Sequence, residues 1–226
     1  MTVARTWAVA LSGLRGDLVE VEADVSSQTP EFSIIGLPDK ALGEAGRRVR
    51  NACTNRGLDL PKRRITVNLS PASLPKRGSG FDVAIAVAAL ATSVELDAAR
   101  VATTVHIGEL GLDGRLRPVP GVLPSVMAAQ RAGHGRVVVP TANAAEARLV
   151  EGMEVFAASC LAEVVRWHGG SSDAADLVAV EAPTGAASEE YLLDLADVVG
   201  QPEAVDALIV AAAGGHHILM SGPPGA

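Results

Sequence analysis

Residues 65–90 read ITVNLSPASLPKRGSGFDVAIAVAAL, and this stretch decides the fold class. Ile65, Val67 and Leu69 alternate with Thr66, Asn68 and Ser70, the two-residue period of a strand with one face in a core. Pro71, Pro75, Gly78 and Gly80 then interrupt regular structure. From Phe81 on, Val83, Ile85, Ala86, Val87, Ala89 and Leu90 leave almost no polar face, so the helix they predict is packed inside the protein. Strand, loop and apolar helix in that order imply a sheet covered by helices, an α/β or α+β domain. The loop holds Ser70, Ser73, Lys76 and Ser79 in front of a buried helix, an arrangement from which hydrolases present a nucleophile.

On the amino-terminal side, residues 3–11 and 18–25 read as a hairpin. Val19, Val21, Ala23 and Val25 face a core, and Glu20, Glu22 and Asp24 face water. Residues 32–35 are a short strand ended by Gly36 and Pro38. Asp39 then caps a helix with Leu42, Ala45, Val49 and Ala52 on one face, arginines on the other, and Gly57 at its end. On the carboxy-terminal side, residues 101–110 and 115–119 are expected as strands joined at Asp113-Gly114. A helix over 121–132, a buried strand over 136–139, a helix over 142–150, a strand over 154–157 and a helix capped by Ser159 follow. One domain over residues 1–168 accounts for this order. Residues 169–190, rich in Gly, Ser, Ala, Asp and Glu, read as an acidic flexible linker. Residues 191–226 begin something different. They hold an apolar and acidic run to Val199, a helix over 201–213 with Val205, Leu208, Ile209 and Ala212 on one face, and a strand over 217–221.

Of the 226 residues 48% are hydrophobic, enough for a large core. The longest apolar run, 83–94, is interrupted by Thr92 and Ser93 and too short for a bilayer. Residues 7–11 lack the flanks of a secretory signal, so a cytoplasmic location without membrane contact is expected. Cys53 and Cys160 are isolated, which predicts neither a disulfide framework nor a metal centre. The net charge of -7 is unevenly spread: residues 39–77 carry ten Lys or Arg against Asp39, Glu44 and Asp59, and no Lys or Arg follows Trp167. Arg47, Arg48, Arg50, Lys62, Arg63, Arg64, Lys76 and Arg77 therefore form a candidate anion-binding, and specifically DNA-binding, face.

The chain ends Gly222-Pro223-Pro224-Gly225-Ala226 directly after HILMS. A phosphate-cradling P-loop needs a strand, GxxxxGK[ST] and a helix, because glycines turn successive N–H groups toward the phosphates and the lysine neutralises them. Five of the eight positions are here. DLADVVGQPEAVDALIVAAAGGHHILMSGPPGA over 194–226 resembles the opening of the AAA+ ATPase module of the Mg-chelatase-like YifB/ComM family. FSIIGLPDKALGEAGRRVRNA, ITVNLSPASLPKRGSGFDVAIAVAAL and HIGELGLDGRLRPVPG resemble blocks of that family's amino-terminal domain. The resemblance implies a domain like the second domain of ribosomal protein S5, shared with Lon and RadA, followed by a motor that hydrolyses ATP with Mg2+. It also implies a ring, expected as a hexamer, acting on single-stranded or branched DNA in natural transformation. Val199 and Gly200 would lie near the adenine, and residues 222–226 near the phosphates. Without the P-loop Lys and Ser/Thr, this chain alone is expected neither to hydrolyse ATP nor to bind it tightly.

The Lon likeness raises a peptidase reading, which requires a Ser nucleophile and a Lys base. Aligned on the Lon pattern, GSGFDVAIA puts Gly80 at the serine position and PVPGVLPSVMAAQRAG puts Leu123 at the lysine position. Lys76 is the last lysine in the chain, so it could pair only with Ser73 or Ser79 of its own loop. Asp82 reads as a carboxylate complementing the helix dipole, His106 and His134 as structural, and Glu109 as a neighbour of the Asp113-Gly114 turn. His216 and His217 precede the last strand, where packing or nucleotide contact is open. The expectation is a non-proteolytic platform for assembly or DNA contact ahead of an ATPase. The ATPase subunit of a true magnesium chelatase, and less so a serine peptidase, are the alternatives.

Overall fold

The computed structural model describes residues 3–180 and 194–222. They belong to two units, Met1–Ala182 and Pro183–Ala226. In the first, a seven-stranded sheet has the order β3-β4-β2-β1-β5-β8-β9. β1 (Ala4–Ser12) and β2 (Arg15–Ser26) form the expected hairpin, and β2 pairs antiparallel with β4 (Arg64–Ser70). The other contacts are parallel: β3 (Phe32–Ile35) on β4, β5 (Thr104–His106) on β1, β8 (Arg136–Pro140) on β5, and β9 (Glu154–Ala158) on β8. This is a mixed α/β architecture with a mostly parallel sheet.

Both faces of the sheet are used, which explains the patterns. α2 (Ala45–Asn55), α3 (Asp82–Leu90) and α7 (Leu161–Trp167) cover one face, burying Ala8, Val19, Val21, Ile65, Val67 and Leu69. Every residue of α3 is buried, as its sequence demands. On the opposite face, α5 (Val122–Arg131) packs with Val105, Val137 and Val139. Val138 points to the first core and its neighbours to the second, so the valine run of β8 is a strand buried on both sides. Before α2, a single turn, α1 (Lys40–Gly43), is capped by Asp39, whose carboxylate accepts from Leu42 N at 2.7 Å.

Four expectations are corrected. Residues 101–110 are not one strand. Asp97 accepts from Arg100 N at 3.0 Å and starts α4 (Ala98–Thr103), and the Thr103 and Thr104 hydroxyls donate to the Ala99 and Arg100 carbonyls at 2.9 and 2.7 Å. The Asp97 cap thus starts a helical turn where the sequence pattern suggests a strand, and the threonine hydroxyls satisfy carbonyls of that short helix. The chain then leaves the main sheet at Gly108 and forms a separate ribbon, β6 (Glu109–Leu110) on β7 (Leu116–Arg117). The helix expected over 142–150 is a 3-10 turn, Thr141–Asn143, and one turn of α6 (Ala144–Ala147). Cys160, not Ser159, is the N-cap of α7, and Ser159 binds the Glu163 carboxylate instead. Finally, the linker does not begin free at Gly169. Gly170 N donates to Val165 O at 3.0 Å, Arg166 donates to Ser172 O and Ala174 O at 3.3 and 3.1 Å, and Arg166 also pairs with Asp176. Residues 181–190 of the expected linker lie outside the described residues.

In the second unit, Asp194 closes a capping box on the turn Leu195–Asp197, and α8 (Pro202–Gly214) runs from Pro202 to a left-handed Gly215 at φ +63°. Ala211 is buried and Val205 and Leu208 are half-buried, but Ile209 and Ala212, expected on the same face, are exposed. Residues 217–221 are not a strand, and Leu219 is 93% exposed. A strand needs a hydrogen-bonded neighbour, and among the described residues these have none.

Candidate functional site

Two loops meet at the end of the β3-β4 pair. Residues 36–39 follow β3, and residues 71–80 follow β4. Lys76, counted from sequence among the exposed cations, is fully buried between them. Its Nζ donates to Gly36 O at 2.7 Å and to Pro71 O, its N–H to Leu37 O at 3.5 Å, and its carbonyl accepts from Asp39 N at 3.0 Å. Asp39 completes the join by accepting from Gly78 N at 3.1 Å. Burial lowers the Lys76 pKa, and no carboxylate compensates within its hydrogen-bonding shell. Lys76 is thus a tie between loops. It is withdrawn from the candidate DNA contacts, and it reaches neither Ser73 nor Ser79.

The second buried charge is Asp82, at the start of α3. Arg48 grips it with two bonds, Nε to Oδ2 at 2.8 Å and Nη2 to Oδ1 at 2.9 Å, and Leu110 N donates to it at 3.2 Å. The Asp82 side chain is wholly buried and that of Arg48 is 21% exposed. Burial raises the Asp82 pKa against the pull of Arg48, while Asp82 raises that of Arg48. Asp82 is therefore half of an ion pair tying α2 to α3, beyond the dipole role read from sequence. Arg48 is spent on that pair and leaves the candidate contact set.

At the position where a peptidase would carry its serine, the Gly80 carbonyl accepts from Gly108 N at 3.0 Å, and a Cβ there would meet open space. The neighbouring Ser79 hydroxyl is bound to Glu109, which points back to this loop rather than to the Asp113-Gly114 turn. At the lysine position, Leu123 packs against the buried apolar cluster that holds Val105, Val122 and Val126, and its N–H donates to Glu146 at 2.8 Å. Among the described residues no lysine or histidine is hydrogen-bonded to Ser73 or Ser79.

The remaining predicted cations divide by partner. Arg64 pairs with Glu31 at 3.1 Å and binds Gln28 at 2.6 Å, and Arg50 lies over the Phe32 ring at 5.9 Å. Arg47 is exposed beside Glu44 at 3.6 Å. Lys62, Arg63 and Arg77 are exposed, and so is Lys40, which belongs to the basic segment but not to the expected contacts. None of these four has a carboxylate partner among the described residues. The signal for Lys40 was its place after the capping Asp39, which leaves its side chain on the outer face of a one-turn helix. Val199 is 91% exposed beside Gly200, and Gly222 is described, but Pro223, Pro224, Gly225 and Ala226 lie outside the described residues.

Elsewhere, His106 and His168 form a buried pair. Thr6 Oγ1 is within 3.1 and 3.2 Å of the Val101 and Thr104 carbonyls and 2.8 Å from His106 Nδ1, and His106 Nε2 faces His168 Nε2 at 2.9 Å. The hydroxyl proton goes to a carbonyl, so His106 donates from Nδ1 and accepts at Nε2 from His168. His168 Nδ1 is left a buried lone pair without a partner in the described structure. Both rings are neutral: burial lowers the His106 pKa well below its usual value and that of His168 to about 4. Cys160, Glu163 and Asp176 approach one another within 4.8 Å, but Ser159 holds Glu163 and Arg166 holds Asp176.

Comparison with known proteins assigns the chain. Residues 21–143 match the family model described as subunit ChlI of Mg-chelatase, and residues 194–226 match magnesium chelatase, subunit ChlI. Competence protein ComM of Haemophilus influenzae is 40% identical over 228 residues, covering 100% of this chain and 44% of ComM. This chain belongs to the Mg-chelatase-like YifB/ComM family. YifB of Salmonella typhimurium is 39% identical over 227 residues, with 100% of this chain and 44% of YifB covered. Thus the chain spans less than half the length of these relatives and corresponds to their amino-terminal part. A more limited likeness links it to the Lon protease of Mycolicibacterium smegmatis, 30% identical over 143 residues, 60% of this chain and 18% of the protease. Among the described residues, no helix of this family member is long and apolar enough to cross a membrane.

Proposed function

We propose that this chain is the platform of a DNA-remodelling ATPase: a non-proteolytic domain, like the second domain of ribosomal protein S5, that contacts DNA ahead of a ring-forming AAA+ motor. The motor would bind ATP and Mg2+ through a P-loop beginning at residues 222–226, with Val199 and Gly200 on the adenine side, and would work as a hexamer. One observation carries the platform reading. The loop that would present a nucleophile has Gly80 at the critical place, its Ser79 is occupied by Glu109, and its Lys76 is locked to carbonyls, while Lys40 and Arg77 at the same end of the sheet are exposed without a carboxylate partner among the described residues. Identity to a competence protein over the whole of this chain, which is 44% of that relative's length, supports DNA as substrate over the metal insertion that the family model's description suggests.

The test is fluorescence anisotropy of the 226-residue chain with labelled single-stranded and four-way-junction DNA at low salt. Arg47, Lys62, Arg63 and Arg77 changed together to Glu should abolish binding, and wild-type affinity should fall steeply with salt, by roughly 0.7–0.9 logarithmic units per phosphate contact and decade of salt. Equal binding by the variant sinks the reading. Casein should remain intact in the presence of the chain.

A further inference from the structure

Leu37 is the single non-glycine residue with positive φ among the described residues, at +62°. That left-handed region disfavours a branched aliphatic side chain, and Gly or Asn is its usual occupant. Burial does not explain the leucine, because it is 57% exposed. Its neighbour Gly36, at φ +102°, has a steric reason for its identity, since a Cβ there would run into the Leu69 carbonyl. Leu37 has none inside the domain. The backbone on either side is nonetheless pinned: Lys76 Nζ holds Gly36 O, Lys76 N holds Leu37 O, and Asp39 N holds Lys76 O. A strained residue kept rigid and facing solvent is built for something outside the domain.

Its surroundings define the partner. Ile35, 50% exposed at the end of the edge strand β3, lies beside it, so the loop offers an apolar knob at the sheet edge. Lys40 follows three residues later, and Arg77 is adjacent across the Pro38–Lys76 bridge. Both are exposed and have no carboxylate partner among the described residues. An apolar knob flanked by free cations suits a ligand that alternates flat apolar surface with negative charge. Unstacked bases between phosphates are such a ligand, and proteins insert Leu, Ile or Pro against them.

We propose that Leu37 is an apolar wedge that packs against an unpaired base of single-stranded or branched DNA, with Lys40 and Arg77 on the flanking phosphates. The proposal rests on the DNA-contact reading above and sharpens it to one residue. In the same anisotropy assay Leu37→Gly, which suits the backbone, should bind about tenfold more weakly at unchanged Tm, with the salt slope preserved because no phosphate contact is lost. Leu37→Asn, the other residue at ease in this conformation, should behave alike. Lys40→Gln with Arg77→Gln should weaken binding and flatten the salt slope by about two contacts. A strand carrying 2-aminopurine should brighten on wild-type binding, as its base leaves the stack, and not with Leu37→Gly. If the cation variant weakens binding and Leu37→Gly does not, the wedge is wrong and the DNA reading stands. If wild type binds no DNA at low salt, both fall. If Leu37→Gly leaves DNA binding intact but lowers the sedimenting mass of the chain, the knob is a contact between copies and the proposal is overturned.

Discussion

Arg48→Met is the most telling perturbation of the domain. Arg48 and Asp82 share two bonds of 2.8 and 2.9 Å, and the carboxylate is wholly buried. Removing the guanidinium leaves an uncompensated charge whose remaining donor is Leu110 N at 3.2 Å. Stranding one partner of a buried pair costs about 3–5 kcal/mol, against a total stability of roughly 5–15 kcal/mol. For a domain of this size that lowers Tm by on the order of 6–20 °C, read by differential scanning calorimetry. The pH dependence gives an independent signature. Burial already raises the Asp82 pKa, and loss of Arg48 raises it further above the unfolded value. The folded variant then holds a proton that the unfolded chain has released, so the variant recovers stability as pH falls toward about 4. Arg48→Met/Asp82→Asn removes the stranded charge and should be more stable than Arg48→Met alone, with a coupling energy of about 2 kcal/mol or more. A loss below about 1 kcal/mol at neutral pH, or one that grows on acidification, would refute the argument.

Two further outcomes follow from buried groups. His106 and His168 have folded pKa values below the unfolded value of about 6.5, so the unfolded chain takes up protons first and stability is lost as pH falls from about 6.5 toward the His168 value of about 4. Desolvation is the main cause for His168, Arg100 adds to it and Asp97 opposes it. His168→Gln should flatten this limb of the urea-denaturation profile, and an unchanged limb would place the acid sensitivity elsewhere. Lys76→Met keeps the volume but orphans the Gly36 and Pro71 carbonyls, so it should cost about 1–3 kcal/mol in urea denaturation. An unchanged midpoint would mean that Lys76 does not tie the loops together.

Periodicity carried the hairpin of β1 and β2, the alternating strand β4 and the wholly apolar α3, because each pattern has one physical solution: a face, or an entire helix, must leave water. It failed at residues 101–110, where the Asp97 cap starts α4 and carries it into a strand-like run. It failed again at 217–221, an apolar run without a strand to pair with among the described residues. At the candidate site, the missing peptidase residues were legible, since Gly80 and Leu123 are identities. The state of the cations was not. Lys76, Arg48 and Lys62 are alike as letters within one basic segment, and they differ in what the fold places around them.

Sequence by itself therefore determined the fold class, the family, and the absence of a serine and lysine pair at the peptidase positions, because these depend on local pattern and residue identity. Tertiary structure decided which charges are free. It buried Lys76 against carbonyls, used Arg48 on Asp82, left Lys40 and Arg77 open, and set Leu37 outward on a left-handed backbone. Those outcomes depend on contacts between loops more than thirty residues apart, 36–39 with 71–78, and no period in the chain encodes such a meeting.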